Sequence, residues 1–405
     1  MSETRVPRGS HVRLGSVEGD LRVEGGGHLD VDGRLVVAGE ARFLGHAEVT
    51  GDLECRSFRS EDGTVQIRGS LVVAEDIRAE DAVLEVHGEL RARDVDVDKR
   101  LDVRGPIRGR TFDVGGYLDG GSTLEGTRVS VGGKVRLAGK MTAQEVDAGG
   151  QIDIAEVDLE SLEAGGLVHI GGGTVRRRIK VGGKFRSDAP LHFGSLEAGG
   201  VAELGGDGFG GALDVGGIFH ARGNLTFTTL EAGGFGGIEG DARGEDVEIG
   251  GRFKVGGALL LTGKLDVGGS VSVEKELTAD RVDLGGHLSA RRAVCRSRAE
   301  IGGVIQTREG LKAERITIER RAKAVGPLVG GTIELKERAR ADDIFGDSVE
   351  LGSRASAGRI FAARVRLQSG ASADEVTFTQ FVSLESDASV RRPPQKVAQL
   401  PPFPL

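Results

Sequence analysis

Along most of this chain apolar and polar residues alternate in short runs, and many runs close on a pair of glycines. Asp113-Val114-Gly115-Gly116 is the first clear copy. The first glycine of the pair returns at Gly132, Gly149, Gly165, Gly182, Gly199, Gly216, Gly233, Gly250, Gly268, Gly285 and Gly302, in steps of 16 to 18 residues. A short fixed period means that like units stack on one another. The residue before each pair is small or apolar (Val114, Val131, Ala148), and the residue two places earlier is apolar again (Val129, Val146, Leu162). The position between them is mostly polar, and that period of two belongs to a strand with one face buried and one in water. About 17 residues are too few for a helical-hairpin repeat but suit three short strands and three corners. Glycine takes positive φ freely, so the pairs are expected at sharp corners. The pattern predicts an all-β fold, a single long parallel β-helix of about 17 residues and three short strands per turn.

A related pattern begins earlier, with Leu29-Asp30-Val31, Ala47-Glu48-Val49, Val65-Gln66-Ile67, Leu84-Glu85-Val86 and Leu101-Asp102-Val103. It reads as a second face of the same helix, continued by Leu137, Ile154, Ile170, Leu204, Ile238 and Val255. After Gly303 the glycine pairs fade but the column goes on, as in Ile333-Glu334-Leu335, Val349-Glu350-Leu351 and Val365-Arg366-Leu367. Each is followed four residues later by alanine: Ala339, Ala355, Ala371. The β-helix is therefore expected over residues 20–390, in roughly 22 turns and on the order of 100 Å at one strand spacing per turn. Residues 1–19 read as a disordered arm, and Val6-Pro7-Arg8-Gly9-Ser10-His11 resembles a protease site left by cloning. Residues 391–405 read as a proline-rich disordered tail, since proline cannot donate to a strand ladder.

Composition narrows the function. Aromatic residues are 4% of the chain, as expected for a narrow interior filled by Val, Leu, Ile and Ala. The net charge of −8, from 62 acids and 54 bases, lacks the basic footprint of a nucleic-acid binder, so no nucleic acid is expected as partner. Cys55 and Cys295 are too far apart along a β-helix to pair. With no disulfide framework, no signal-like apolar segment and no run near the ~18 apolar residues of a membrane span, a cytoplasmic location is expected. The glycine pairs lack the Lys-Ser/Thr ending of a phosphate loop. The eight histidines show no metal-ligand spacing and read as surface residues. Turns this short leave no room for a catalytic loop. No catalytic residue, metal or cofactor is expected, and the protein is read as a non-enzyme.

Three features go beyond architecture. The outward residue between the last two apolar positions is acidic at Asp113, Asp147, Glu163, Glu197, Asp214, Glu231, Glu248, Asp266, Asp283 and Glu300, with Ser130 and Lys180 as exceptions. Stacked at ~4.8 Å these form a column of like charges. It is either a solvated face neutralised by Lys134, Lys184 and Arg252, or a strip that limits side-by-side contact or docks a basic partner. Phe378 and Phe381 lie close together near the C-terminal end, where they either plug the helix or form a polymerisation interface. Pro393, Pro394, Pro401, Pro402 and Phe403 form a tail suited to docking a protein partner in polyproline-II form, dispensable for the β-helix.

The short regular turns, the Val/Ile/Leu columns and above all the Val-x-Leu-x-x-x-Ala repeat from Ile333 to Ala388 resemble the bactofilins, the polymer-forming cytoskeletal family. Flagellar-assembly-protein-A-like β-helices share these motifs. The resemblance implies a cytoplasmic scaffold that joins β-helices end to end without nucleotide, with itself as partner. The chain departs from it in length, and in lacking the short hydrophobic N-terminal motif by which some members touch membrane, so it gives no ground for membrane contact. The expected function is a self-assembling structural filament. The alternative is a monomeric rod that binds a protein partner or polysaccharide.

Overall fold

A computed structural model describes residues 3–402, and every regular element in it is a β-strand. The chain divides into two compact units after Gly200. Each is a parallel β-solenoid advancing about 17 residues per turn.

In unit one, Arg100–Val103, Ile107–Arg108 and Thr111–Val114 make one turn of three strands. They pair in parallel with Tyr117–Gly120, Leu124–Glu125 and Arg128–Val131 of the next. Alternation decides which side chains go inside. Leu101, Val103, Ile107, Phe112 and Val114 are buried, while Arg100, Asp113 and Tyr117 face water. Unit two repeats the scheme. Leu225–Thr226, Thr229–Ala232 and Phe235–Ile238 stack on Ala242–Gly244, Asp246–Ile249 and Arg252–Val255. The second face is where it was expected: Leu137, Ile154 and Ile170 stack in unit one, and Leu204, Ala221, Ile238 and Val255 in unit two.

The glycine pairs have a different cause from the one expected. None has positive φ. Instead the corners of successive turns lie so close that a side chain would strike the backbone beneath. A Cβ on Gly286 would fall 1.7 Å from the carbonyl oxygen of Gly269, and one on Gly303 1.8 Å from that of Gly286. Positive φ appears where the pairs have gone. Arg321, Arg338 and Arg354 (φ 63°, 58° and 59°) and Gly370 (φ 70°) each precede the inward alanine of their turn. The N–H of that alanine closes the corner on the carbonyl three residues back, as in Ala339 to Lys336 at 3.0 Å and Ala355 to Gly352 at 3.0 Å. Corners are closed by bare backbone approach in one stretch and by a left-handed residue in the other.

The interior also takes rings. Phe43, Phe58, Phe112, Phe185, Phe219 and Phe253 are fully buried. Glycines make the space: a Cβ on Gly236 would lie 2.5 Å from the Phe253 ring, and one on Gly109 2.9 Å from Phe112.

Both ends carry more structure than expected. Residues 3–17, read as a disordered arm with a cloning scar, form three strands. Glu3–Val6 pairs with Asp20–Val23, His11–Arg13 with Gly27–Asp30, and Ser16–Val17 with Val36–Val37. Val6 is buried. Pro7-Arg8-Gly9 is the corner, closed by the Ser10 N–H on the Pro7 carbonyl and turned by Gly9 at φ 69°. One turn shows too few apolar positions to declare a period. At the other end Ser389–Val390, the last residues of the expected β-helix, pairs with Ser372–Ala373, and in the tail Gln395–Lys396 pairs with Thr377–Phe378. Pro393 and Pro394 form the link between these short strands and need no ladder hydrogen bonds, so proline does not end the stacking there.

The corner contacts can be tested by a pair of substitutions. Gly286→Ala should destabilise the protein by about 2 kcal/mol, within the range for overpacking. Gly285→Ala, whose Cβ would find its nearest atom at 3.6 Å, should change stability by under about 0.5 kcal/mol. Chemical denaturation of both variants decides it, and equal losses would contradict the close-approach account.

Candidate functional site

The acidic column exists as a stacked ladder. In unit two Asp214, Glu231, Glu248, Asp266, Asp283 and Glu300 are consecutive partners in register. In unit one the ladder is interrupted. Asp113 neighbours Ser130, Asp147 follows and stacks on Glu163, then Lys180 separates Glu163 from Glu197. Asp96 extends it one turn earlier, beside Asp113.

The bases expected to neutralise it, Lys134, Lys184 and Arg252, each stand just past a glycine corner. Lys134 and Arg252 are in register with Tyr117 and Phe235, and Lys184 is in register with Leu167. Some acids are relieved by other bases: on their own strands Lys264 Nζ is 2.6 Å from Asp266 and Arg298 pairs with Glu300, and from the next turn Arg178 reaches Glu163 at 3.9 Å. Among the described residues no ion pair holds Asp214, Glu231, Glu248 or Asp283. Four of the six carboxylates of the unit-two ladder are thus outside any ion pair.

The same column carries the opposite charge at the start of unit one, which the sequence reading missed. Arg5, Arg22, Arg42, Arg59 and Arg78 stack in register and end against Asp96. Most are paired: Arg5 with Glu3 at 2.8 Å, Arg22 with Glu24 at 3.1 Å, Arg42 with Glu61, and Arg59 with Glu80 at 3.2 Å. Glycine pairs do not recur at a fixed place in these turns, and their spacing runs longer, so the column was not visible as a repeat.

Stacking also gives histidines partners. His169 lies between Asp153 (Nδ1 to Oδ1, 3.1 Å) and Asp188 (Nε2 to Oδ2, 2.7 Å), one from the turn on either side. His169 and the Arg186 guanidinium hold the Asp188 carboxyl below its ordinary range. His28 is 3.2 Å from Glu48, and His220 3.1 Å from Glu239. Cys55 and Cys295 are free, buried thiols, and burial pushes both up to about 12.

At the C-terminal end the two phenylalanines separate. Phe378 is half-buried, stacked on Ala362 below and Lys396 above. Phe381, stacked on Arg364, is 52% exposed, and Leu384 44%. Of the three strands of the last turn, 372–373 is overlaid by Ser389–Val390 and 377–378 by Gln395–Lys396 of the tail. Among the described residues nothing pairs with the outer side of 381–384. Of the tail residues proposed for docking, Pro393, Pro401 and Pro402 are exposed and Pro394 half-buried. Phe403 lies outside the described residues.

No family model matches the chain, and neither do any curated protein or solved structure. Its own geometry is what bears on function.

The ladder predicts a pH effect at Asp96. Burial, then Asp113 and Asp98, raise Asp96 above its ordinary value. A raised acid favours the fold while protonated and loses that contribution as pH climbs through its folded value. Asp96→Asn should therefore raise the melting temperature at pH 7, on the order of 1 °C, and the gain should vanish below about pH 4. A gain that persists at pH 3 would assign the effect to something other than charge.

Proposed function

We propose that this protein is a structural scaffold of the cytoplasm, without catalytic activity, whose copies join end to end as stacked β-solenoids and need no nucleotide. A β-solenoid is suited to a structural role. The observation that carries the assembly step is the edge at 381–384. It presents unpaired strand hydrogen-bonding groups together with Phe381 and Leu384. An open edge of this kind accepts another strand in register. Each large apolar side chain buried there contributes about 1.5–3 kcal/mol, repeated at every joint. Phe378, held under the tail, serves as the plug of the last turn. In this reading the uncompensated carboxylates Asp214, Glu231 and Glu248 keep neighbouring filaments apart, at a range set by the screening length. The exposed prolines of the tail are available to a protein partner.

Phe381→Asp combined with Leu384→Asp should leave strand content and melting nearly unchanged and abolish filaments in negative-stain microscopy and sedimentation. Undiminished filaments would exclude this edge as the joint. Wild-type protein that stays as single particles under all conditions would reject filament formation and leave a monomeric binding module.

A further inference from the structure

Unit two contains a cleft of about 450 Å³ that neither the ladder nor the last turn explains. It is built by one column of outward positions, two residues ahead of the acidic ladder. That column reads Lys264, Arg281, Arg298, Arg315, Thr332, Ser348, Arg364 in stacked register. Long cationic side chains stand on both sides of two short hydroxyl residues, so the surface sinks between Arg315 and Arg364. The corner alongside is Gly330-Gly331. Gly331 lines the hollow, and a Cβ there would come 3.1 Å from the Glu314 carbonyl oxygen, tighter than an ordinary contact. Glu314 and Asp347 border it.

The charges in this cleft are unsatisfied in both signs. Arg281 and Arg298 lean towards acids of their own strands, Asp280 at 3.5 Å and Glu300. Among the described residues no ion pair holds Arg315, Arg364, Glu314 or Asp347, and all four are exposed. A guanidinium only donates hydrogen bonds and an ionised carboxylate only accepts them. A ligand that satisfies both must bring anionic oxygens and hydroxyl donors together. Polyphosphate brings anions without hydroxyl donors, and the two carboxylates oppose it. Nucleic acid is further disfavoured by the net charge of −8. Arg315 and Arg364 are three turns apart, ~14 Å at one strand spacing per turn, a span of two to three sugar rings.

We propose that this cleft binds a short acidic oligosaccharide. Uronate carboxylates sit on the guanidinium forks of Arg315 and Arg364, where planar paired hydrogen bonds form. Sugar hydroxyls donate to Glu314 and Asp347, with Thr332 between them. The site lies on the side of the solenoid and does not depend on end-to-end assembly.

The test is calorimetric titration of the full chain with trigalacturonate, beside neutral galactotriose and inorganic phosphate. Trigalacturonate should bind, galactotriose at least tenfold more weakly, and affinity should fall with added salt. Arg315→Gln with Arg364→Gln should cost tenfold or more, with circular dichroism unchanged. Glu314→Gln with Asp347→Asn decides between a saccharide site and a bare cationic patch, because the two give opposite signs. Loss of hydroxyl acceptors weakens trigalacturonate binding, whereas a bare patch freed of two carboxylates binds it more tightly and is competed by phosphate. Tighter binding, or no binding by wild type at millimolar ligand, overturns the proposal. Either result leaves the filament reading untouched, since Phe381, although stacked on Arg364, does not line the cleft.

Discussion

The structure depends on one repeated contact, the hydrogen-bonded stacking of each turn on the turn before it. Parallel strands pair at ~4.8 Å, and everything else must fit that rise. A corner that leaves the plane would pull three strands out of register, so the glycine corners are flat and bare. Each hydrogen bond contributes only about 1 kcal/mol net, but the ladder leaves few backbone groups unpaired. Side chains are then sorted into columns with no freedom to avoid one another. Inside, this gives continuous apolar columns. Outside, it gives ladders in which a residue's nearest neighbours are its equivalents one turn away.

That arrangement makes electrostatics a property of columns. A carboxylate such as Glu231 cannot choose a distant partner, because its environment is set by Asp214, Glu248 and the residue two places away on its own strand. Where that residue is Lys264 or Arg298, the charge is relieved; where it is Thr229, it is not. The same logic groups arginines at the start of unit one and places unlike charges around the cleft near Gly331. The two phenylalanines illustrate it again, since Phe378 inherits the enclosed column of Ala362 and Phe381 the exposed column of Arg364.

The solenoid, its period, its columns and the acidic ladder were legible in the sequence because each rests on repetition. What repetition did not mark was missed. Residues 3–17 supply only one turn, and Gln395–Lys396 two residues, so neither declares a period. The arginine ladder lacks the regularly recurring glycine pairs that index the later turns. The cause of those pairs was also hidden, since sequence gives the residue and not the distance to the backbone below. The narrow interior was read as one filled by Val, Leu, Ile and Ala, because the making of room for Phe112 and Phe253 by Gly109 and Gly236 is a fact of three dimensions. The cleft was invisible for a related reason: Arg315, Thr332 and Arg364 are neighbours only after stacking.

The bare glycine corner has a consequence for how such a chain changes over generations. Insertion of one residue into a turn would reverse which side chains face inward from that point to the next corner. Addition of a whole turn disturbs only the two faces between which it is placed. Copies of Gly-Gly turns are interchangeable, since the contact each makes is backbone on backbone and carries no side-chain signature. Unequal recombination between them therefore yields foldable offspring of different lengths, and the chain inherits its size in turns rather than in residues.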